Sequence, residues 1–519
     1  MSHIQSAAFP STSWIPYLFL ALLALYVGSR VIYNLFLSPL SSIPGPWYAA
    51  VSNLWMTTHV LRLQQCKTNH ALFETYGPVV RVGPNKVIFK DLSAMRSVYS
   101  THKFDKSSWY KGLLTNENDH AMTTLDHASH AIRRKGYAPH YVPANIAMFQ
   151  PEANDYTNEL LKGLDRFNGQ VVDCLSLFRH YMVDMIITSS YGYRQGSIKK
   201  WFSGEEDPMS NAIADFPKRG LIRSAIPTWF WDLLCQIPVR RWRLLCDSDR
   251  IMGEFVGARV YDMRAQVNAE KLHEVEKVPL LQRLLGYKYT STNENMPDHD
   301  IISELMGHMI AGSDTTSNTL SYMFWELSRR PDVMIKLQNE LDAVMPDSRA
   351  IPDISTLQKL PYLNAFLNEG LRVYSAVPSP LERVVPPSSK GSPSDDCFDL
   401  MGYALPPGTI VSTQGWSMHH DAAVFHSPDT FLPDRWLESC NNPTNLSKMA
   451  QYMMPFGAGA RICGGKNLAH MMLRIAIASV VRNFNVVAPA ETNATSMDIK
   501  DSFVIFPAAM ECKLAFHPR

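Results

Sequence analysis

The sequence lacks any charge imbalance, since 49 Lys and Arg face 48 Asp and Glu for a net charge of +1. That excludes nucleic-acid binding driven by bulk charge and leaves only local basic patches open. It also lacks paired cysteines. The eight, at 66, 174, 235, 246, 397, 440, 463 and 512, form no CxxC and keep no regular spacing. Neither a zinc site nor a disulfide scaffold is indicated, and a reducing compartment fits best. No basic stretch precedes the apolar run near the N-terminus and no small-x-small cleavage site follows it, which argues against a cleaved signal peptide.

What is present begins with that run. Residues 14–33 hold no charge before Arg30, and roughly 20 mostly apolar residues suffice for a spanning helix if Arg30 snorkels to the interface. Arg30 lies on the C-terminal side, so the positive-inside rule places the body of the chain in the cytosol. The stretch SPLSSIPGPW, 38–47, follows with three prolines, which fix φ and remove amide donors; it predicts a stiff, non-helical hinge. The division expected is an anchor at 1–37, a hinge at 38–47 and a body at 48–519. With 46% hydrophobic residues the body has ample material for a core and an apolar pocket, and length alone predicts roughly two to four domains.

Within the body, residues 61–76 read as a helix and VVRVGPNKVIFKD, 79–91, as two short strands around Gly83-Pro84-Asn85. Residues 105–126 read as a loop, and 152–195 as amphipathic helix. HASHAIRRK puts His130 and Arg134 four apart, on one helical face; they donate to anions or form a solvated basic face. The region 199–243 joins Trp229, Phe230 and Trp231 to Arg240, Arg241, Trp242 and Arg243, a mixture that suits a lipid interface or a core cluster.

Four motifs carry the chemistry. Residues 298–330 predict the longest helix, whose middle reads AGSDTT; Gly312 weakens a helix by roughly 1 kcal/mol, and an acid with two hydroxyls on an apolar face is costly unless used or hydrogen-bonded. A helix at 357–373 holds Glu369 and Arg372 three apart, followed by FLPDRW at 431–436 with Arg435. Last comes PFGAGARICGG, 455–465, in which Phe456, Gly459, Arg461, Cys463 and Gly465 fall as FxxGxRxCxG just before a helical pattern at 466–482. A glycine-shaped loop feeding a helix N-terminus favours a thiolate at Cys463, which could ligate a haem iron; a buried structural cysteine is the alternative.

The four motifs, in this order, resemble the cytochrome P450 superfamily, and the anchor and PGP hinge extend the likeness over nearly the whole chain. The resemblance implies one mainly α catalytic unit with a smaller β-rich lobe, preceded by a transmembrane helix. It implies haem b with Cys463 as axial thiolate, held with Phe456, Arg461, His130, Arg134, Ala311, Gly312 and Arg383; many relatives have Trp where His130 stands. Ala311 and Gly312 make room for the haem at a local helix distortion, Asp314 supports proton delivery, and Thr315 hydrogen-bonds oxygen. Glu369, Arg372 and Arg435 form a buried triad that serves folding and haem retention. Residues 377–380 and a turn at 503–505 line the pocket. No flavin or nicotinamide domain is visible, so electrons come from NADPH through a separate reductase, docked around Arg133, Lys135 and Lys466.

By this likeness the protein is an endoplasmic-reticulum-anchored monooxygenase acting on a lipophilic molecule. The SPLSSIPGPW and RVVPP segments resemble fungal enzymes of specialised metabolism, with terpenoid scaffolds preferred. Two rivals are a haem-thiolate isomerase or dehydratase that needs no reductase, and a non-catalytic haem-binding membrane protein.

Overall fold

The computed structural model describes residues 15–269, 277–290, 292–387 and 397–519. Its axis is the helix Asp298–Arg329, begun by Asp298 and Asp300 in the first turn and ended by Arg329 ahead of Pro331. Acids at the start and a cation at the end complement the helix dipole. It is buried on most sides from Ile301 to Leu327, as a helix packed by neighbours all round must be. The helix Cys174–Tyr191 covers it most extensively, with Phe178 stacked on Phe324 at 5.2 Å. That partner is buried nearly throughout, so the amphipathic pattern expected across 152–195 holds only for the helix Gln150–Phe167.

The sheet material is small. Strands Val79–Gly83 and Lys86–Phe89 form the expected antiparallel hairpin, extended by Ile410–Ser412 in parallel and Arg383–Val384 at the far edge. A three-stranded sheet joins Val171–Asp173, Lys513–Pro518 and Phe484–Val487, and the hairpins Ile499–Ser502/Val504–Pro507 and Phe398–Leu400/Tyr403–Leu405 complete the described set. The helix expected over 61–76 is split into Leu54–Leu61 and Gln65–Tyr76, with Leu63 at φ 58° between them.

The helix Ile15–Ile32 carries an exposed apolar surface and ends in a π turn, Tyr33–Leu37; residues 16–37 are long and apolar enough to cross a membrane, and Trp14 lies outside the described residues. The hinge is stitched to the body. Buried Arg81 donates to Asn34 O at 2.7 Å and its amide to Pro44 O at 2.8 Å, while a Cβ on Gly45 would meet Arg81 O at 2.4 Å. Only glycine permits that approach.

Several histidines are buried in the neutral form. Loss of solvation holds His140 and His419 down to about 3 and His120 to about 4, from an ordinary 6.5. Below 6.5 the unfolded chain takes up protons that the fold refuses, so each group withdraws about 1.4 kcal/mol per pH unit until its folded value is reached; above 6.5 the contribution is complete. The thermal unfolding midpoint of the detergent-solubilised chain should therefore fall between pH 6.5 and 5. A flat midpoint over that interval contradicts it.

Candidate haem-thiolate site

Cys463 lies in a loop whose shape is set by its own backbone. Its amide donates to Phe456 O at 2.9 Å, closing the loop, and Gly457 and Gly459 take φ of 76° and 67°. A Cβ on Gly459 would sit 2.0 Å from Tyr99 O, so this glycine is required both for conformation and for space. The helix Lys466–Asn483 starts three residues on, and the amides of Gly465 and Lys466 reach the thiol. Burial pushes the Cys463 thiol up, while those amides and the charges of Arg134 and Lys466 pull it down. Cys463 is surrounded by protein yet exposed, so it faces an internal cleft.

The long helix carries the AGSDTT motif. Ala311 is exposed at its middle while Ser313, Asp314 and Thr316 beside it are buried. A chain of contacts runs from this helix toward the cysteine loop. His308, one turn before Ala311, meets the Tyr141 hydroxyl at 3.0 Å, and Tyr141 in turn feels the charge at Cys463. Thr315 Oγ1 donates to Ala311 O at 2.6 Å, leaving its lone pairs free. Asp314 is buried and bound to Arg179 Nε at 2.6 Å. Burial depresses Arg179, but the Asp314 carboxylate more than offsets it and raises the guanidinium above its ordinary value.

Basic side chains gather near the cysteine loop. Lys106, His130 and Arg383 are buried, and Arg461 is half-buried. Desolvation, then the neighbouring charges of Arg383 and Arg461, hold Lys106 well below its ordinary value; desolvation and Arg383 bring Arg461 down to about 10. His130 is held at about 3 by desolvation and by Arg461, Lys106 and Arg134. Among the described residues none of Lys106, Arg383 and Arg461 forms an ion pair, and Arg461 Nε is buried without a partner. Buried like charges without counter-ions are unfavourable unless an anion arrives. A cleft with an exposed thiol and basic side chains gathered near it fits a flat dianionic macrocycle with a central metal.

The sequence profile of the cytochrome P450 family matches residues 44–514. The chain belongs to the cytochrome P450 family. Among curated proteins it resembles tryprostatin B 6-hydroxylase of Neosartorya fischeri, 29% identical over 91% of this chain and 81% of that protein. It also resembles cytochrome P450 monooxygenase sdnE of Sordaria araneosa, 27% identical over 93% of this chain and 94% of that one. The crystal structure of the cytochrome P450DA heme domain shares the fold, with a TM-score of 0.72 at 20% identity, covering 88% of this chain and 93% of that one. This P450 is thus a haem-thiolate oxidoreductase with relatives among fungal monooxygenases.

The other expected residues take the following places in this P450. A Cβ on Gly312 would be 2.4 Å from Ile186, so a glycine is required where two helices pack, and the helix is continuous through it. Arg134 gives its guanidinium to Ala460 O and Ile462 O, both at 2.9 Å, and so braces the cysteine loop itself. Arg461 donates to Thr124 O and Leu125 O at 2.8 and 2.7 Å, with Nε left over. Arg383 lies over the Tyr99 ring at 4.8 Å. Phe456 packs 5.0 Å from His470. Arg133 is spent on Asp300 at 2.7 Å and Glu304 at 3.5 Å, which removes it from a docking patch; Lys135 and Lys466 are exposed.

The triad of Glu369, Arg372 and Arg435 is present and almost dry. Arg372 pairs with Glu369 at 2.8 and 2.9 Å and Arg435 at 3.1 Å, while Trp436 Nε1 and the Leu432 amide complete the carboxylate at 2.9 and 2.8 Å. Arg372 also donates to His419 O, Pro428 O and Thr430 O. His419 returns Nδ1 to Arg372 O at 3.0 Å and accepts at Nε2 from the Met454 amide at 2.9 Å, one residue before the cysteine loop. Arg179, Lys106 and His419 have no motif to announce them, whereas Trp436 was available as the last residue of FLPDRW. Glu369→Gln should cost about 3–5 kcal/mol by stranding buried guanidinium charge. The measurement is haem per polypeptide after purification, expected to collapse; full haem content would contradict the link from triad to loop.

Proposed function

We propose that this P450 is a membrane-anchored monooxygenase that inserts one oxygen atom of O2 into a lipophilic small molecule, drawing electrons from a separate NADPH-dependent reductase. Residues 1–37 form the anchor in the endoplasmic reticulum membrane, 38–47 the hinge and 48–519 the cytosolic body. The observation that carries this reading is an exposed Cys463 in a glycine-shaped loop of a chain that matches the family over residues 44–514, and a buried acid beside the Thr315 alcohol on the long helix supports it. Cys463 would hold the haem iron and Lys106, His130, Arg383 and Arg461 would hold its carboxylates, and the group would supply oxygen activation when bound.

The remaining work falls to side chains. Thr315 offers a hydroxyl whose proton rests on Ala311 O and whose lone pairs face the cleft. Asp314 can shuttle protons only by parting from Arg179, so that ion pair governs when it turns inward. The acid and alcohol would have no purpose in a reductase-independent isomerase or a mere carrier. Phe503, at φ 72° on the tip of its hairpin, packs 5.2 Å from Trp109 and forms an aromatic wall suited to an apolar substrate. Lys135 and Lys466 supply the positive face for the reductase. The substrate is a specialised metabolite, with terpenoid scaffolds the first to try.

Co-expression with a reductase in a host fed candidate substrates, with products read by mass spectrometry, tests the reading; a product one oxygen heavier is expected, and turnover without reductase would overturn it. Thr315→Ala should keep haem but send reducing equivalents to hydrogen peroxide, seen as NADPH consumed without product; intact coupling removes Thr315 from the mechanism. Asp314→Asn should slow coupled turnover by about 10²-fold, the usual scale for a lost proton-transfer group. In Arg179→Gln the share of NADPH converted to product should change while haem content stays; unchanged coupling denies Arg179 its hold on Asp314.

A further inference from the structure

Asp300, Glu304 and His308 stand four apart on the long helix and share one of its faces. Asp300 takes Arg133 at 2.7 Å, while buried Glu304 faces the same guanidinium at 3.5 Å and accepts from the Ala121 amide at 3.1 Å. Two carboxylates thus share one arginine, and His299, 3.9 Å from Asp300, is exposed. His308 brings Nε2 to 3.3 Å from Glu304 but off the line of a hydrogen bond, so that nitrogen is buried without one. A proton on this imidazole completes the charge balance of the cluster.

A second observation ties the same ring to the cysteine loop. It stacks on Tyr141 at 5.3 Å and stands edge-on to Tyr137 at 4.8 Å, and Nδ1 meets the Tyr141 hydroxyl at 3.0 Å. The Tyr141 carbonyl accepts from Asn467 Nδ2 at 2.8 Å, four residues past Cys463, and a Cβ on Gly464 would lie 2.9 Å from the Tyr137 ring. Both tyrosines therefore abut residues that flank Cys463. With its hydrogen on Nε2 toward the carboxylate, neutral His308 accepts at Nδ1 from Tyr141; once both nitrogens are protonated, Nδ1 donates and the hydroxyl must turn to accept. The other titratable groups facing the ring keep one state near pH 7. Burial raises both phenols, and desolvation holds His120 to about 4 and His140 to about 3.

We propose that His308 takes up a proton when the site is reduced, and that it acts through Tyr141 as a positioning residue linking the reduction potential of the thiolate-bound iron to pH. One electron comes from the reductase and one proton from water. The N–H bond formed on His308 is the only bond made, and reoxidation releases both. The inference rests on the reading that Cys463 holds the haem iron.

The test is a spectroelectrochemical titration of the haem-loaded, full-length chain in detergent between about pH 6 and 8, where imidazoles ordinarily titrate. The wild-type midpoint potential should fall as pH rises, because acid favours a reduction that draws in a proton. His308→Gln, whose amide can still face Tyr141 but cannot take a proton, should keep its haem and its reduced carbon-monoxide band and lose that fall. Glu304→Gln removes the carboxylate that steadies the proton and should move the fall to lower pH. A wild type without the thiolate band overturns the ligand reading and this proposal with it. A wild type with the band but a pH-independent potential, or a His308→Gln chain that keeps the wild-type fall, overturns the proposal alone. If His308→Gln loses its haem, Glu304→Gln decides, and an unmoved fall there overturns the proposal.

Discussion

The segment that leads into the cysteine loop is fixed by one carboxylate. Glu369 is fully buried and accepts from two arginines, an indole and a backbone amide. Taking a charge so far from water is tolerable only when its lone pairs are all used. The guanidinium groups then spend their remaining donors on carbonyls between His419 and Thr430, so one ion cluster fixes a long irregular segment that no sheet or helix could hold. His419 carries that order one step further, to Met454, and from there the backbone of 455–465 has little freedom left.

The cleft that results is electrostatically unfinished in a way that selects its occupant. Near the cysteine loop, Lys106, Arg383 and Arg461 repel one another in a desolvated setting, which an anionic edge would relieve. At the floor, amides and nearby cations compete with burial for the state of Cys463. A macrocycle carrying carboxylates on one edge and a metal cation at its centre answers both demands at once. Neutral histidines such as His419 serve the same economy, donating and accepting without adding charge to an interior already crowded with cations.

How much of this was legible in the sequence follows from how local each determinant is. The cysteine loop, the Glu369–Arg372 spacing and the long helix are short-range patterns, and their residues lie where the motifs place them. Arg179 is 135 residues from Asp314, and Lys106 comes from a loop without periodicity, so their parts depend on tertiary approach alone. Gly312 carries a further demand of this kind: Ile186 on a neighbouring helix leaves no room for a Cβ, which a pattern within one helix cannot reveal. Likewise the run 229–231 divides, with Trp229 outward and Trp231 inward against Trp242, because residues two apart on a helix point to nearly opposite faces.

The central claim is that Cys463 presents a thiolate to haem iron. The carbon-monoxide difference spectrum of the reduced, purified full-length chain tests it most directly. The account predicts the red-shifted band of thiolate ligation in the wild type and its loss in Cys463→Ser. A band characteristic of histidine ligation in the wild type, or an unchanged spectrum in the variant, would contradict it.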